Sequence, residues 1–182
     1  MQVKAEVRNP DMIDILGLID RSLVELSRAR FRLYTFALYL DVESSCLAVC
    51  ADTASNSARL VRRINRFNCA EFGESVERGD LAGAALWQAN LGRNLSLGDF
   101  ALVNMCRLTI PSVTPPTTYL LMLRAMRQRE QELLLATPRP AKLMLVCTGP
   151  NDEAEFTWVP SASPHSRMSE NVSPPPTTGA PG

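Results

Sequence analysis

The chain has 182 residues, 46% of them hydrophobic and 21% charged, with 19 Lys+Arg against 19 Asp+Glu. These are the proportions of a soluble globular protein with room for one domain of ordinary size, and the zero formal charge gives no global attraction to nucleic acid or to an anionic membrane. No apolar run approaches the roughly 20 residues needed to span a bilayer. The N-terminus, MQVKAEVRNPDMIDILGL, carries acids inside its apolar run and has no small-residue cleavage site. A secretory signal is therefore not expected, and a cytoplasmic location is.

Asn9-Pro10-Asp11 opens a first helix, expected over 11–29, with Met12, Ile15, Leu16, Ile19, Leu23 and Leu26 on one broad face. Two strand-length apolar runs follow. In 33–40, Tyr34, Phe36, Leu38 and Leu40 alternate with Leu33, Ala37 and Tyr39, leaving Thr35 as the polar position. After the polar Asp-Val-Glu-Ser-Ser connection, 46–51 is apolar on both faces but smaller, as suits a central strand. Together they read as a hairpin over about 33–52.

Asp52-Thr53-Ala54-Ser55 supplies N-cap chemistry for a second helix carrying Leu60, Val61, Ile64 and Phe67. Its outer side bears Arg59, Arg62, Arg63 and Arg66, and Glu71, Glu74, Glu77 and Asp80 come next. The two sets are expected to neutralise each other in part on the surface. Residues 80–87 fit a strand or a short helix, Asn90 to Asn94 a loop, and Ser96-Leu-Gly-Asp99 the start of a helix holding Phe100, Leu102, Val103 and Met105. Thr114 with Pro115-Pro116 opens a long helix over about 115–136, and Pro138 ends it. A second hairpin is expected over 142–159: KLMLVCT, a Gly-Pro-Asn-Asp turn, then a returning strand with Phe156 and Trp158 on a buried face. Beyond residue 159 the chain is rich in Pro, Ser, Thr and Gly, and residues 160–182 read as a disordered tail. The fold class is α+β, with one domain over 1–159 and a largely antiparallel sheet built from two hairpins flanked by long helices.

The only histidine, His165, lies in the tail, so Ser-His-Asp or Cys-His catalysis and a His-based metal site inside the domain are not expected. There is no Gly-rich phosphate loop, nucleophile elbow or Cys-x-x-Cys pair. Cys46, Cys50, Cys69, Cys106 and Cys147 are expected to be reduced thiols acting as small hydrophobes. No catalytic residue, metal or cofactor is assigned. Carboxylates flank the two hairpin turns, Asp41, Glu43 and Asp52 at the first and Asp152, Glu153 and Glu155 at the second, and would meet around a cation only if the hairpins brought them together.

RFRLYTFALYLD, the strand ending Cys50-Ala-Asp-Thr53, Trp87, and KLMLVCTGPNDEAEFTWV together resemble an uncharacterised bacterial family of about this length, whose members open with a helix and a Phe-Ala-Leu-Tyr strand. Families of this kind are discussed beside the immunity proteins of bacterial toxin systems. The resemblance implies a non-enzymatic domain that binds and blocks a toxin-like protein. Trp87 and Asn90 in the middle segment are the expected partner-binding residues. The alternative is a small anion- or nucleotide-binding domain or enzyme, with Asp52, Arg59 and Arg62 in a pocket at the second helix.

Overall fold

In the computed structural model, which describes residues 11–110, 115–148 and 154–160, the chain is organised by a five-stranded sheet in the order β3-β2-β1-β4-β5. Its elements are α1 (Met12–Arg28), β1 (Leu33–Asp41), β2 (Cys46–Thr53), α2 (Ala54–Glu77), α3 (Leu81–Leu86), β3 (Leu102–Thr109), α4 (Pro115–Gln128), α5 (Glu130–Leu135), β4 (Met144–Cys147) and β5 (Phe156–Trp158). Both expected hairpins are present, β1 with β2 and β4 with β5, each antiparallel. They join through a parallel pairing of β1 with β4, so the α+β sheet is mixed. The acidic turn of the second hairpin, with Asp152 and Glu153, and the tail lie outside the described residues.

One sheet face carries the main core. Phe36, Leu38 and Leu40 of β1, Leu47 and Val49 of β2 and Leu145 of β4 are buried there beneath Ile15, Leu18 and Ile19 of α1 and Met122 and Met126 of α4. Asp11 caps α1 through a reciprocal capping box with Asp14, satisfying two of the amides that a helix start leaves open. The opposite face carries a smaller cluster of Ala37, Cys50 and Val146, closed by Phe100 of the loop before β3. Alternation along β1 holds from Phe36 to Leu40 and fails before it. The pairing with β2 slips between Leu33 and Thr35, which puts Leu33 in the main core, opposite to its expected side.

Three expectations are corrected. Ser96 to Asp99 opens no helix: 97–99 form one 3₁₀ turn, and Leu102, Val103 and Met105 belong to β3, an edge strand paired antiparallel with β2. The helix over 115–136 is broken at Arg129 into α4 and α5, where the guanidinium makes a two-toothed bond to Asp20 of α1, at 2.7 and 2.9 Å. The returning strand β5 has no buried face of two aromatics. Phe156 is exposed, while Trp158 is half-buried and donates its indole N–H to Glu130 at 2.7 Å. The choice left open for 80–87 falls to the short helix α3, capped by the Asp80 carboxylate on the Gly83 amide.

No helix among the described residues is long and apolar enough to cross a membrane. All five cysteines are free, and Cys46, Cys50 and Cys147 are buried as expected, whereas Cys69 is exposed and Cys106 half-exposed. Burial pushes the thiols of Cys50 and Cys147 above their ordinary range. A disulfide reagent added to the native protein should therefore modify Cys69 first and reach Cys46, Cys50 and Cys147 only on unfolding. Rapid native-state loss of more than two thiols would contradict this burial.

Candidate functional site

α2 begins at the end of β2, with Thr53 as its N-cap accepting from the Asn56 amide at 3.1 Å. Asp52 sits just before this cap and is fully buried. Its Oδ1 accepts from the Thr53 amide (2.9 Å), the Asn56 side-chain amide (2.8 Å) and the Ala101 amide (3.1 Å). The Asn56 amide also donates to the Asp99 carbonyl, and its Oδ1 accepts from Arg59 at 2.6 Å. Asp52 and Arg59 are thus linked through Asn56, in a relay that ties the loop before β3 to the start of α2. The expected pocket holding Asp52, Arg59 and Arg62 is not formed, because the carboxylate is fully buried and points into this relay, which ends at Arg59, three residues short of Arg62.

Trp87 and Asn90 take a different part of the molecule. Past Leu60, α2 has one buried residue, Ser75, and the chain then turns back at Gly79, with a φ of +70°, into the arm that α3 and the segment after it form with the helix. Trp87 ends α3 and meets Phe67 edge-on, with ring centroids 5.5 Å apart. Asn65 clamps Asn90, accepting its amide at 2.7 Å and donating to its carbonyl at 2.9 Å, while Asn68 donates to the Gln88 carbonyl. Asn65 also borders two shallow hollows, one with Arg62, Arg66 and Cys69 and the other with Trp87 and Phe72. Arg62, Trp87 and Asn90 are therefore gathered along one flank of α2, and Asp52 and Arg59 are not among them.

This arm exposes much of its apolar surface. Phe67, Phe72, Val76, Leu81, Leu86 and Leu91 are six of the fourteen large apolar side chains exposed among the described residues, and Leu81 and Leu86 are 81% and 78% accessible. Within α2 only Ser57, Leu60 and Ser75 are buried. The expected neutralisation between the arginine and glutamate sets does not occur either. They occupy successive halves of one straight helix, and the ion pairs present are Arg63 with Asp99 at 3.7 Å and Arg78 with Glu74 at 3.3 Å.

Arg93 is the functional-looking residue that sequence reasoning missed. Its guanidinium stacks 3.5 Å from the centre of the Tyr34 ring and donates to the Tyr34 carbonyl (2.6 Å), the Thr35 hydroxyl (3.0 Å) and the Lys142 carbonyl (2.7 Å). Burial lowers its pKa, opposed by Tyr34 and by the charge of Asp52. It seals the end of the β1–β4 pairing, and no motif announces it.

The acids of the first hairpin do not converge. Asp41 accepts the Ser44 amide at the β1–β2 turn, a bond that holds its carboxyl below the ordinary range, whereas Asp52 lies at the other end of β2. Among the described residues no group of three or more His, Cys, Asp or Glu side chains could hold a metal. On the outer sheet face, Tyr39, Cys50, Ser96 and Asn104 border a cleft of about 650 Å³. Asn104 is left-handed (φ +52°) at a bulge against β2, and its amide donates to the Cys50 sulfur at 3.4 Å. Among the described residues no carboxylate–base pair borders the cleft. In comparison with known proteins, the chain matches no family model, no curated protein and no solved structure.

Proposed function

We propose that the chain is a cytoplasmic, non-enzymatic protein-binding domain whose docking surface is the arm formed by α2, α3 and the segment to Leu91. The observation that carries this reading is the concentration of exposed large apolar side chains on that arm, since monomeric surfaces rarely expose apolar area in clusters without a partner to cover it. Trp87 and Asn90 are positioning residues in this picture, holding the segment 87–92 against α2. The immunity-type role implied by the sequence resemblance is one form of it, in which the arm lies over a toxin's active site and blocks it sterically. The test compares partner capture from source cells by the native chain and by a Leu81→Ser/Leu86→Ser variant. Both side chains are too exposed for their loss to unfold the domain. A stoichiometric protein captured by the first and lost by the second supports the reading, whereas capture that is indifferent to the arm overturns it.

One observation favours a second reading, an anion site displaced from the expected place. Arg30 and Arg32 of the connection between α1 and β1, and Arg139, border one hollow of about 400 Å³ together with Thr53 and Ser55 of the α2 start, and among the described residues no acid borders it. Guanidinium groups and open helix-start amides are both suited to a phosphate group. Pyrophosphate should raise the unfolding midpoint of the native chain and leave an Arg32→Ala/Arg139→Ala variant unmoved. Absence of a shift in the native chain would remove this reading.

A further inference from the structure

The hollow at the start of β1 offers more than positive charge. Among the described residues Arg30, Arg32 and Arg139 form no ion pair, whereas Arg28 and Arg129 each hold a carboxylate. Arg30 stands just past α1 in the left-handed conformation, at a φ of +49°. Its amide bonds to the Ser27 carbonyl and that of Phe31 to the Leu26 carbonyl, the pattern of a helix end at which glycine is the usual residue. An arginine there keeps a strained backbone and brings a guanidinium to the hollow. On the other side, the Thr137 hydroxyl donates to the Leu33 carbonyl at 2.6 Å and accepts the Arg139 amide at 3.3 Å, which ties the segment carrying Arg139 to β1. The rest of the wall is apolar, formed by Phe31, Leu33, Tyr34 and Pro138. The Tyr34 ring is held in place, because Arg93 stacks on it at 3.5 Å and donates to the Tyr34 carbonyl. A bare phosphate would leave that wall uncovered.

We infer that the ligand of this hollow is a free nucleotide, with its phosphates on the guanidiniums and its base against the wall of Phe31, Tyr34 and Pro138. The inference rests on the anion reading above and names the organic part of the ligand. Guanidinium groups hold phosphate oxygens through paired hydrogen bonds, and three of them with no carboxylate among the described lining residues suit a nucleoside diphosphate. They stand in for the Gly-rich phosphate loop that the sequence lacks. The Thr53 and Ser55 hydroxyls supply neutral partners for sugar or phosphate oxygens. Stacking on aromatic rings is tolerant of which base is present, so the wall selects a flat ring and not one particular base. At about 400 Å³ the hollow falls within the size range of sites for small organic ligands. The zero formal charge of the whole chain gives no wider attraction to a nucleic acid strand, which is why the free nucleotide is the ligand.

Calorimetric titration of the full chain with ADP and with pyrophosphate tests this, because the two probes share a diphosphate and differ by the nucleoside. ADP should bind the native chain about ten-fold more tightly than pyrophosphate, the effect of stacking one base. The Arg32→Ala/Arg139→Ala variant should lose both. A Phe31→Leu/Tyr34→Leu variant keeps apolar bulk at both positions and the main-chain bond from Arg93. It should bind pyrophosphate as the native chain does and lose most of the ADP advantage. Equal binding of the two probes by the native chain overturns the inference and leaves the anion site standing, and so does an advantage that survives in the leucine variant. ADP binding indifferent to the arginines overturns it as well. Binding of neither probe removes the anion reading and this inference together. Should the leucine variant fail to fold, saturation-transfer NMR on the native chain replaces it. The adenine protons of ADP should then receive magnetisation from the protein until excess pyrophosphate displaces the nucleotide. Adenine signals that are absent, or that pyrophosphate leaves unchanged, overturn the inference.

Discussion

Phe36→Ala should lower the free energy of unfolding by about 3–5 kcal/mol, as for other large aromatic side chains removed from a closed core. Phe36 is fully buried in β1, paired with Ala51 on one side and Leu145 on the other, and it faces the layer of α1 and α4. Both neighbouring strands are fixed by their own hydrogen bonds, so the cavity has little room to collapse. A urea titration measures the effect: the midpoint should fall with the slope unchanged. A near-neutral result would place β1 outside the core and with it the whole two-hairpin architecture.

The second large effect is expected at Asp52. Alanine there removes the acceptor for the Thr53 amide, the Asn56 side chain and the Ala101 amide at once. Orphaned donors cost roughly 1–3 kcal/mol each, and partial access of water to two of them brings the expected loss to about 3 kcal/mol. Asp52→Asn, which keeps an oxygen at the Oδ1 position, should lose distinctly less, and thermal unfolding of the three chains gives the order. If Asp52→Ala were instead as stable as the native chain and had lost a response to pyrophosphate, Asp52 would be a ligand-binding residue and its structural role here would be wrong.

How far these features were legible follows from where their partners lie. The β1–β2 hairpin was plain because both apolar runs and the polar turn between them are local, and the α1 boundaries follow from Asp11 and the apolar spacing after it. The β3 strand was not plain. Ser96-Leu-Gly-Asp99 imitates a helix start, Asn104 interrupts alternation at a bulge, and the strand exists because β2 offers it an edge. Arg129, at the break between α4 and α5, bonds Asp20, 109 positions away, and Arg93 finds its partners 49 to 59 positions away. No local pattern can announce such contacts. Asp52 was noticed for its chemistry and its N-cap position, but its burial, and so its change from ligand candidate to structural acceptor, came from the loop folded over it. Trp87 was visible as a large aromatic; that it lies on an arm beside exposed leucines depends on the turn at Gly79.

The parallel pairing of β1 with β4 bears on how the chain is made. As the protein leaves the ribosome, β1, β2 and β3 can zip together in sequence, each from its neighbour. β1 nevertheless keeps one rim of unpaired amides and carbonyls until Met144–Cys147 has been synthesised more than a hundred residues later. For that interval the most apolar strand of the nascent chain is an open template for any other strand nearby. Folding in the cell should accordingly be most vulnerable just before β4 emerges. Chains stalled or truncated short of Leu143 should collect in aggregates, while the full-length chain remains in solution.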